Sequence, residues 1–257
     1  MCIAALVKKG GDISVVVEEL GPALTNKETD IRLKGTRFLS NLLKTLPNDF
    51  LTQPQIEFVT QFYVDRMKDH HSIAPEVISG LHAIIKMRNF PHKLAPQIFQ
   101  HMTSQIPCQT QVRGDRTIIF SIIQILSENC HTELEALGAD FIYGVIQQID
   151  GERDPRNLLF LFEFMPKFIA SYPLKHFTEE MFEVFSCYFP IDFHPSPNDP
   201  KPITRDALAA KLELCLTAHK DFAQFCYVLA LEKLDTDLTV ARLDSLDLLV
   251  SHLQVPQ

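Results

Sequence analysis

A chain of 257 residues, 46% of them hydrophobic, can bury a full apolar core, which excludes disorder along its whole length. Nine glycines and no tryptophan beside 19 phenylalanines suit helices better than tightly turned sheets. A formal charge of −8 opposes the long-range pull of a polyanion and argues against nucleic acid as a direct partner.

The opening Met1-Cys-Ile-Ala-Ala-Leu-Val has neither the basic leader nor the full apolar stretch of a signal peptide. No uncharged apolar run approaches the roughly 18 residues of a membrane span, so a soluble intracellular protein is expected. Downstream the apolar spacing is helical almost throughout. Ile56, Val59, Tyr63 and Met67 step by 3, 4 and 4, and Ile73, Val77, Leu81 and Ile84 by 4, 4 and 3. Each series lays one stripe on one helix face. No period-2 strand stands out. The β-branched run 117–126 is the nearest to one, yet Ile118, Ile122, Ile125 and Leu126 again share a helical face.

Proline and polar clusters at Leu46-Pro-Asn-Asp49, Asn89-Phe-Pro91, Gln105-Ile-Pro107 and Asp150–Pro155 cut the chain into about twelve predicted helices. They cover 11–23, 28–46, 53–69, 73–88, 92–105, 111–129, 132–149, 155–171, 174–188, 204–217, 221–234 and 238–252. Pro166 should kink its helix or end it early. Paired off, the second helices begin near Asp30, Ser72, Thr110, Asp154, Thr204 and Asp237, at intervals of 42, 38, 44, 50 and 33. Their mean, about 41, lies in the range of HEAT and armadillo repeats. Several of these helices carry an arginine soon after a polar cap, as in Asp30-Ile-Arg32, Gln111-Val-Arg113, Asp154-Pro-Arg156 and Thr239-Val-Ala-Arg242. Such an arginine can bridge to the turn of the next repeat. The expected fold is all-α: an α-solenoid of about six HEAT-like helical pairs forming one repeat domain over 1–257. The proline-rich segment 193–202 is an extended excursion that lengthens the fourth interval.

Chemistry is poorly represented. The sequence lacks G-x-G-x-x-G, G-x-x-x-x-G-K-[ST], H-E-x-x-H and G-x-S-x-G, so no enzyme activity and no cofactor are expected. Cysteines at 2, 108, 130, 187, 215 and 226 form no C-x-x-C pair and read as small buried hydrophobes, not metal ligands. Asp65, Asp69, His70 and His71, with His82 on the next helix, come nearest to a metal constellation, but their place at a helix end, where such residues meet free carbonyls, is the favoured reading. Glu152, Arg153, Asp154 and Arg156 read as caps and inter-repeat ion pairs in a solvated loop. Phe160, Phe162, Phe164 and Phe168 spread around their helix and read as core. Second helices usually line the concave face of a helical stack, which makes Arg32, Lys34, Arg113, Arg116, Arg156 and Arg242 candidate protein contacts. The competing role for them is the repeat's own ladder.

Three stretches carry a family resemblance: Asp65-Arg-Met-Lys-Asp-His-His-Ser72; Leu137-Gly-Ala-Asp-Phe-Ile-Tyr-Gly-Val-Ile-Gln-Gln-Ile-Asp-Gly-Glu-Arg-Asp-Pro-Arg-Asn157; and Ser186-Cys-Tyr-Phe-Pro-Ile-Asp-Phe-His-Pro-Ser-Pro-Asn-Asp-Pro200. They resemble the N-terminal region of the MMS-nineteen (methyl-methanesulfonate-sensitivity) family of long HEAT-repeat scaffolds. The resemblance implies a non-enzymatic adaptor of the cytosolic iron–sulfur assembly targeting complex, in cytoplasm and nucleus. Its implied partners are iron–sulfur assembly factors and client enzymes of DNA repair, replication and transcription, such as the TFIIH helicase. Assembly-factor docking belongs mainly to the family's C-terminal repeats, which leaves client or partner binding to this region. The alternative is a purely structural solenoid segment with no client contact.

Overall fold

The computed structural model describes residues 13–195 and 202–254. Cys2, the first residues of the chain and residues 196–201 of the proline-rich segment lie outside the described residues. The described residues form thirteen α-helices and no strand. The chain packs into two compact units, 1–141 and 142–257.

The first unit holds α1 (Ile13–Leu24), α2 (Thr29–Thr45), α3 (Gln53–Arg66), α4 (Ala74–Ile84), α5 (Ala95–Gln105), α6 (Arg113–Asn129) and α7 (His131–Glu135). α8 (Ala139–Ile149) begins at its edge, and the second unit continues with α9 (Pro155–Ser171), α10 (Thr178–Ser186), α11 (Arg205–Leu216), α12 (Ala223–Leu234) and α13 (Thr239–Gln254). Helix starts follow local chemistry. Pro54, Pro75, Pro96 and Pro155 occupy first turns, where a missing N–H costs nothing. The backbone N–H of Thr52 donates to Gln55 Oε1 at 2.9 Å, half of a capping box. Short 3₁₀ turns at His71–Ile73, His92–Leu94, Lys175–Phe177 and Lys220–Phe222 precede α4, α5, α10 and α12.

The β-branched run 117–126 is helical within α6, because Ile119, Phe120, Ile122, Ile123 and Leu126 all bury on one side. Two sequence expectations need correction. The single helix expected over 132–149 is two, α7 and α8. The N–H groups of Leu137 and Gly138 turn back to Leu134 O and Glu135 O, and Gly138 takes φ +59°, a left-handed conformation that glycine adopts without a Cβ penalty. Leu134, Phe141 and Val145 bury on both sides of that break, so apolar spacing alone reads one helix. Nor does Pro166 end its helix, which runs on to Ser171. Proline removes the donor that Phe162 O would receive, and the Cys215 thiol of α11 donates to that carbonyl at 3.5 Å instead.

In the first unit α2, α4 and α6 pack side by side, while α3, α5 and α7 form a second layer against them. In the second unit α9 packs on α11, α10 on α11 and α12, and α12 on α13. Polar bridges between successive pairs recur at nearly constant separation: 37 residues for Arg32 to Asp69, 39 for Arg37 to Glu76, 36 for Gln97 to Gln61 and 39 for His82 to Ser121. The second unit repeats it at 36 for Tyr188 to Glu152, 39 for Arg205 to Asp244 and 38 for Ser251 to Glu213. A constant contact separation is what stacked helical pairs of one length produce. Between α9 and α11 it stretches to 53 for Cys215 to Phe162, since the proline-rich segment lies between them in sequence.

Phe162, Phe164 and Phe168 are buried as expected, whereas Phe160 is only half-buried. Phe162 meets the rings of Phe185 at 6.1 Å and Tyr188 at 5.7 Å, both edge-on.

Candidate functional site

A densely hydrogen-bonded polar cluster is built from the arginine that the sequence places after the α2 cap. Arg32 donates from Nε and Nη2 to both oxygens of Asp69, at 2.8 and 2.7 Å. Its Nη1 donates to the carbonyls of Asn26 at 2.8 Å and Lys27 at 2.9 Å, and Nη2 reaches Thr29 Oγ1 at 3.4 Å. All five guanidinium donors are thus used within the chain. Arg66, one helix on, donates to Asp69 at 2.5 Å and to Leu24 O at 2.8 Å, with its guanidinium 5.1 Å from the Phe62 ring centre. One carboxylate therefore ties the end of α3 to the start of α2 and the end of α1.

Asp69 is held well below the usual carboxylate range, first by the Arg32 hydrogen bonds and, against opposing burial, by Arg66 and the His70 N–H. The folded state therefore binds this proton less readily than the unfolded chain. The stabilisation is complete above the ordinary carboxylate value and is lost as pH falls below about 4. Asp69→Asn is expected to cost about 2 kcal/mol at neutral pH. It should also flatten the stability loss between pH 5 and acid, relative to the parent, in denaturant titrations read by circular dichroism. Equal slopes for the two proteins would contradict the assignment.

This geometry also gives other partners to residues read as a metal constellation. Asp69 is saturated by arginines. His70 pairs with Ser72 and lies tilted against His71, the ring centres 4.1 Å apart. His82 hydrogen-bonds Ser121 at 2.9 Å, and burial followed by the charges of Lys86 and Lys44 lowers its pKa to about 4, leaving a neutral imidazole. No group of three candidate ligands occurs among the described residues.

The equivalent bridge in the second unit was missed by the sequence reading. Arg205, first residue of α11, donates to Ile191 O at 3.1 Å and pairs with Asp244 of α13. It stands directly after the Thr204 cap, one position ahead of the spacing sought, so a looser pattern would have found it. Glu152 also departs from expectation, being 4% exposed and not solvated. Its Oε1 accepts from the N–H groups of Arg153 at 2.8 Å and Asp154 at 2.9 Å, and its Oε2 from Asn157 Nδ2 at 2.9 Å. The Tyr188 hydroxyl donates to its main-chain carbonyl at 2.8 Å. Asp154 caps α9 through the Arg156 N–H at 2.9 Å, as its position suggested.

Of the other candidate contacts, Lys34, Arg113, Arg156 and Arg242 are exposed, while Arg116 is half-buried and donates to Gln111 O at 3.0 Å. A further surface had no sequence signal: Val228, Leu231, Leu238, Val240, Leu243, Leu246 and Val250 on or beside α12 and α13 are each at least half exposed. No helix among the described residues is long and apolar enough to cross a membrane.

Comparison with known proteins shows the family. Residues 17–255 match the family model described as Dos2-interacting transcription regulator of RNA-Pol-II. The chain is similar to the MMS19 nucleotide excision repair protein of Drosophila melanogaster, 50% identical over 244 residues, or 95% of this chain and 25% of that protein. It is 39% identical over 249 residues to the Homo sapiens homolog, covering 96% and 24%, and 34% identical over 240 residues to that of Dictyostelium discoideum, covering 93% and 21%. The chain thus spans about a quarter of the length of the curated relatives it matches. A family match from residue 17 to residue 255, with half-identity to the fly protein along nearly the whole chain, means that this chain belongs to the MMS19 family.

Proposed function

We propose that this chain is a non-enzymatic HEAT-repeat scaffold region that binds proteins in support of DNA repair and transcription. The observation that carries the reading is the apolar surface of α12 and α13. Soluble monomers rarely leave so many large aliphatic side chains in water on two helices packed together, and such patches mark protein contact. The relatives' name, nucleotide excision repair protein, supplies the process. Residues 1–257 then act as one amino-terminal repeat domain, in cytoplasm and nucleus, with Lys34, Arg113, Arg156 and Arg242 as polar contacts. Arg116 and the fully committed Arg32 act as ladder residues. The partners are the iron–sulfur assembly factors and clients of the targeting complex, the TFIIH helicase among them.

Purified TFIIH helicase should bind the immobilised chain directly, and the double change Leu231→Lys, Leu243→Lys should weaken that binding about tenfold or more without lowering the melting temperature. Absence of binding by the parent chain to helicase and assembly factors alike would leave a purely structural segment as the better reading.

A further inference from the structure

Where the carboxyl ends of α4 and α6 meet the turn after α2, the first unit opens a groove of about 600 Å³. Its floor is apolar, with Ile85, Met87 and Phe90 buried beneath it and Ile125 half-buried. Its rim is basic: Lys86, Arg88 and His92 line it. The amides of Asn48 and Asn129 also line it.

The whole chain is acidic at −8, yet two cations stand together at this groove. Arg32, Arg37, Arg66 and Lys93 in the same unit form ion pairs, while Lys27, Lys34, Lys44 and Lys68 form none among the described residues. Among the described residues, neither the Lys86 nor the Arg88 side chain has a carboxylate partner. Asp49 and Glu128 are the nearest acids in sequence to the lining residues, and Glu128 accepts from Gln124 instead. Attraction to helix C-terminal carbonyls accounts for Lys44, in the last turn of α2. It does not account for Lys86, Arg88 and His92, which lie beyond the end of α4 at Ile84. Unpaired cations around an apolar floor on an acidic protein call for an acidic occupant with one greasy side chain.

We propose that this groove docks an acidic linear peptide segment of a partner protein. An aliphatic or aromatic side chain of the peptide sits over Ile85, Phe90 and Ile125, its flanking carboxylates meet Lys86 and Arg88, and the Asn48 and Asn129 amides serve its backbone. The proposal rests on the scaffold reading and gives it a partner chemistry and a place.

The test uses the 257-residue chain and a fluorescein-labelled heptapeptide of six alternating Glu and Asp residues around a central Leu, read by fluorescence anisotropy at moderate salt. Saturable binding is expected. It should weaken about tenfold when the central Leu is Ser, and by about as much with Lys86→Glu/Arg88→Glu, whose exposed sites leave the melting temperature unchanged. Equal binding of the Leu and Ser peptides, indifference to the double substitution, or tighter binding of a uridine heptanucleotide than of the peptide would each overturn the proposal. If the double variant still binds purified TFIIH helicase as the parent does and the peptide binds neither, the groove fails while the scaffold reading stands. If the peptide binds as described but no helicase or assembly factor binds the parent, the groove stands and the client assignment falls.

Discussion

Gly80→Ala is expected to destabilise the first unit by about 3 kcal/mol, although alanine at a helical position ordinarily gains roughly 1 kcal/mol over glycine. A Cβ on Gly80 would lie 2.3 Å from Tyr63 Cζ and 2.4 Å from its Cε1, far inside van der Waals contact. The ring has no room to yield. Tyr63 is fully buried, and its hydroxyl lies 2.7 Å from Ser40 Oγ, which itself donates to Glu76 O at 2.7 Å. The α3–α4 contact therefore depends on a helix surface with a missing side chain. Urea denaturation reads the sign directly, and a stabilised Gly80→Ala protein would sink this account. Gly80→Ala combined with Tyr63→Phe should recover little, because the ring carbons remain. Combined with Tyr63→Ala it should cost less than the sum of the two single changes, since the space left by the ring accepts the new methyl group.

Glu152→Ala should cost about 4 kcal/mol, the largest effect expected of any charged residue in the second unit. Truncation strips acceptors from three donors at a buried site: two backbone N–H groups and the Asn157 amide. An unsatisfied buried donor costs about 1–3 kcal/mol, so even partial entry of water leaves a large penalty. Glu152→Gln keeps one oxygen and the side-chain shape but sets an NH₂ against a donor, and roughly half the loss is expected. Thermal melts of the three proteins at one pH decide it. Equal melting temperatures for parent and Glu152→Ala would mean that the carboxylate does not hold the turn before α9.

Comparing these residues shows what could be read without coordinates. The helices, their approximate ends and the spacing of second helices came from the 3.6-residue period, prolines and caps, all of which act within a few residues of chain. The cap at Asp154 and the bridging habit of Arg32 were legible for the same reason, because the start of a helix declares which donors need partners. Gly138 was invisible as a break, since the apolar stripe continues past it. Pro166 read as a kink or an early end, and its tolerance inside the helix was not legible, because the thiol that satisfies Phe162 O comes from α11, far along the chain.

The sequence by itself determined an all-α chain of paired helices, its acidic surface and the family to which it belongs. Those properties sum over many residues or depend on near neighbours. Tertiary structure alone decided that Glu152 is buried, that Gly80 faces a tyrosine ring, that Asp69 serves two arginines and not a metal, and that Lys86, Arg88 and His92 surround one apolar groove. They depend on which side chains and turns the packing of neighbouring helices brings within about 3 to 4 Å, and side-chain interactions are settled at that range by packing geometry, which no local period encodes.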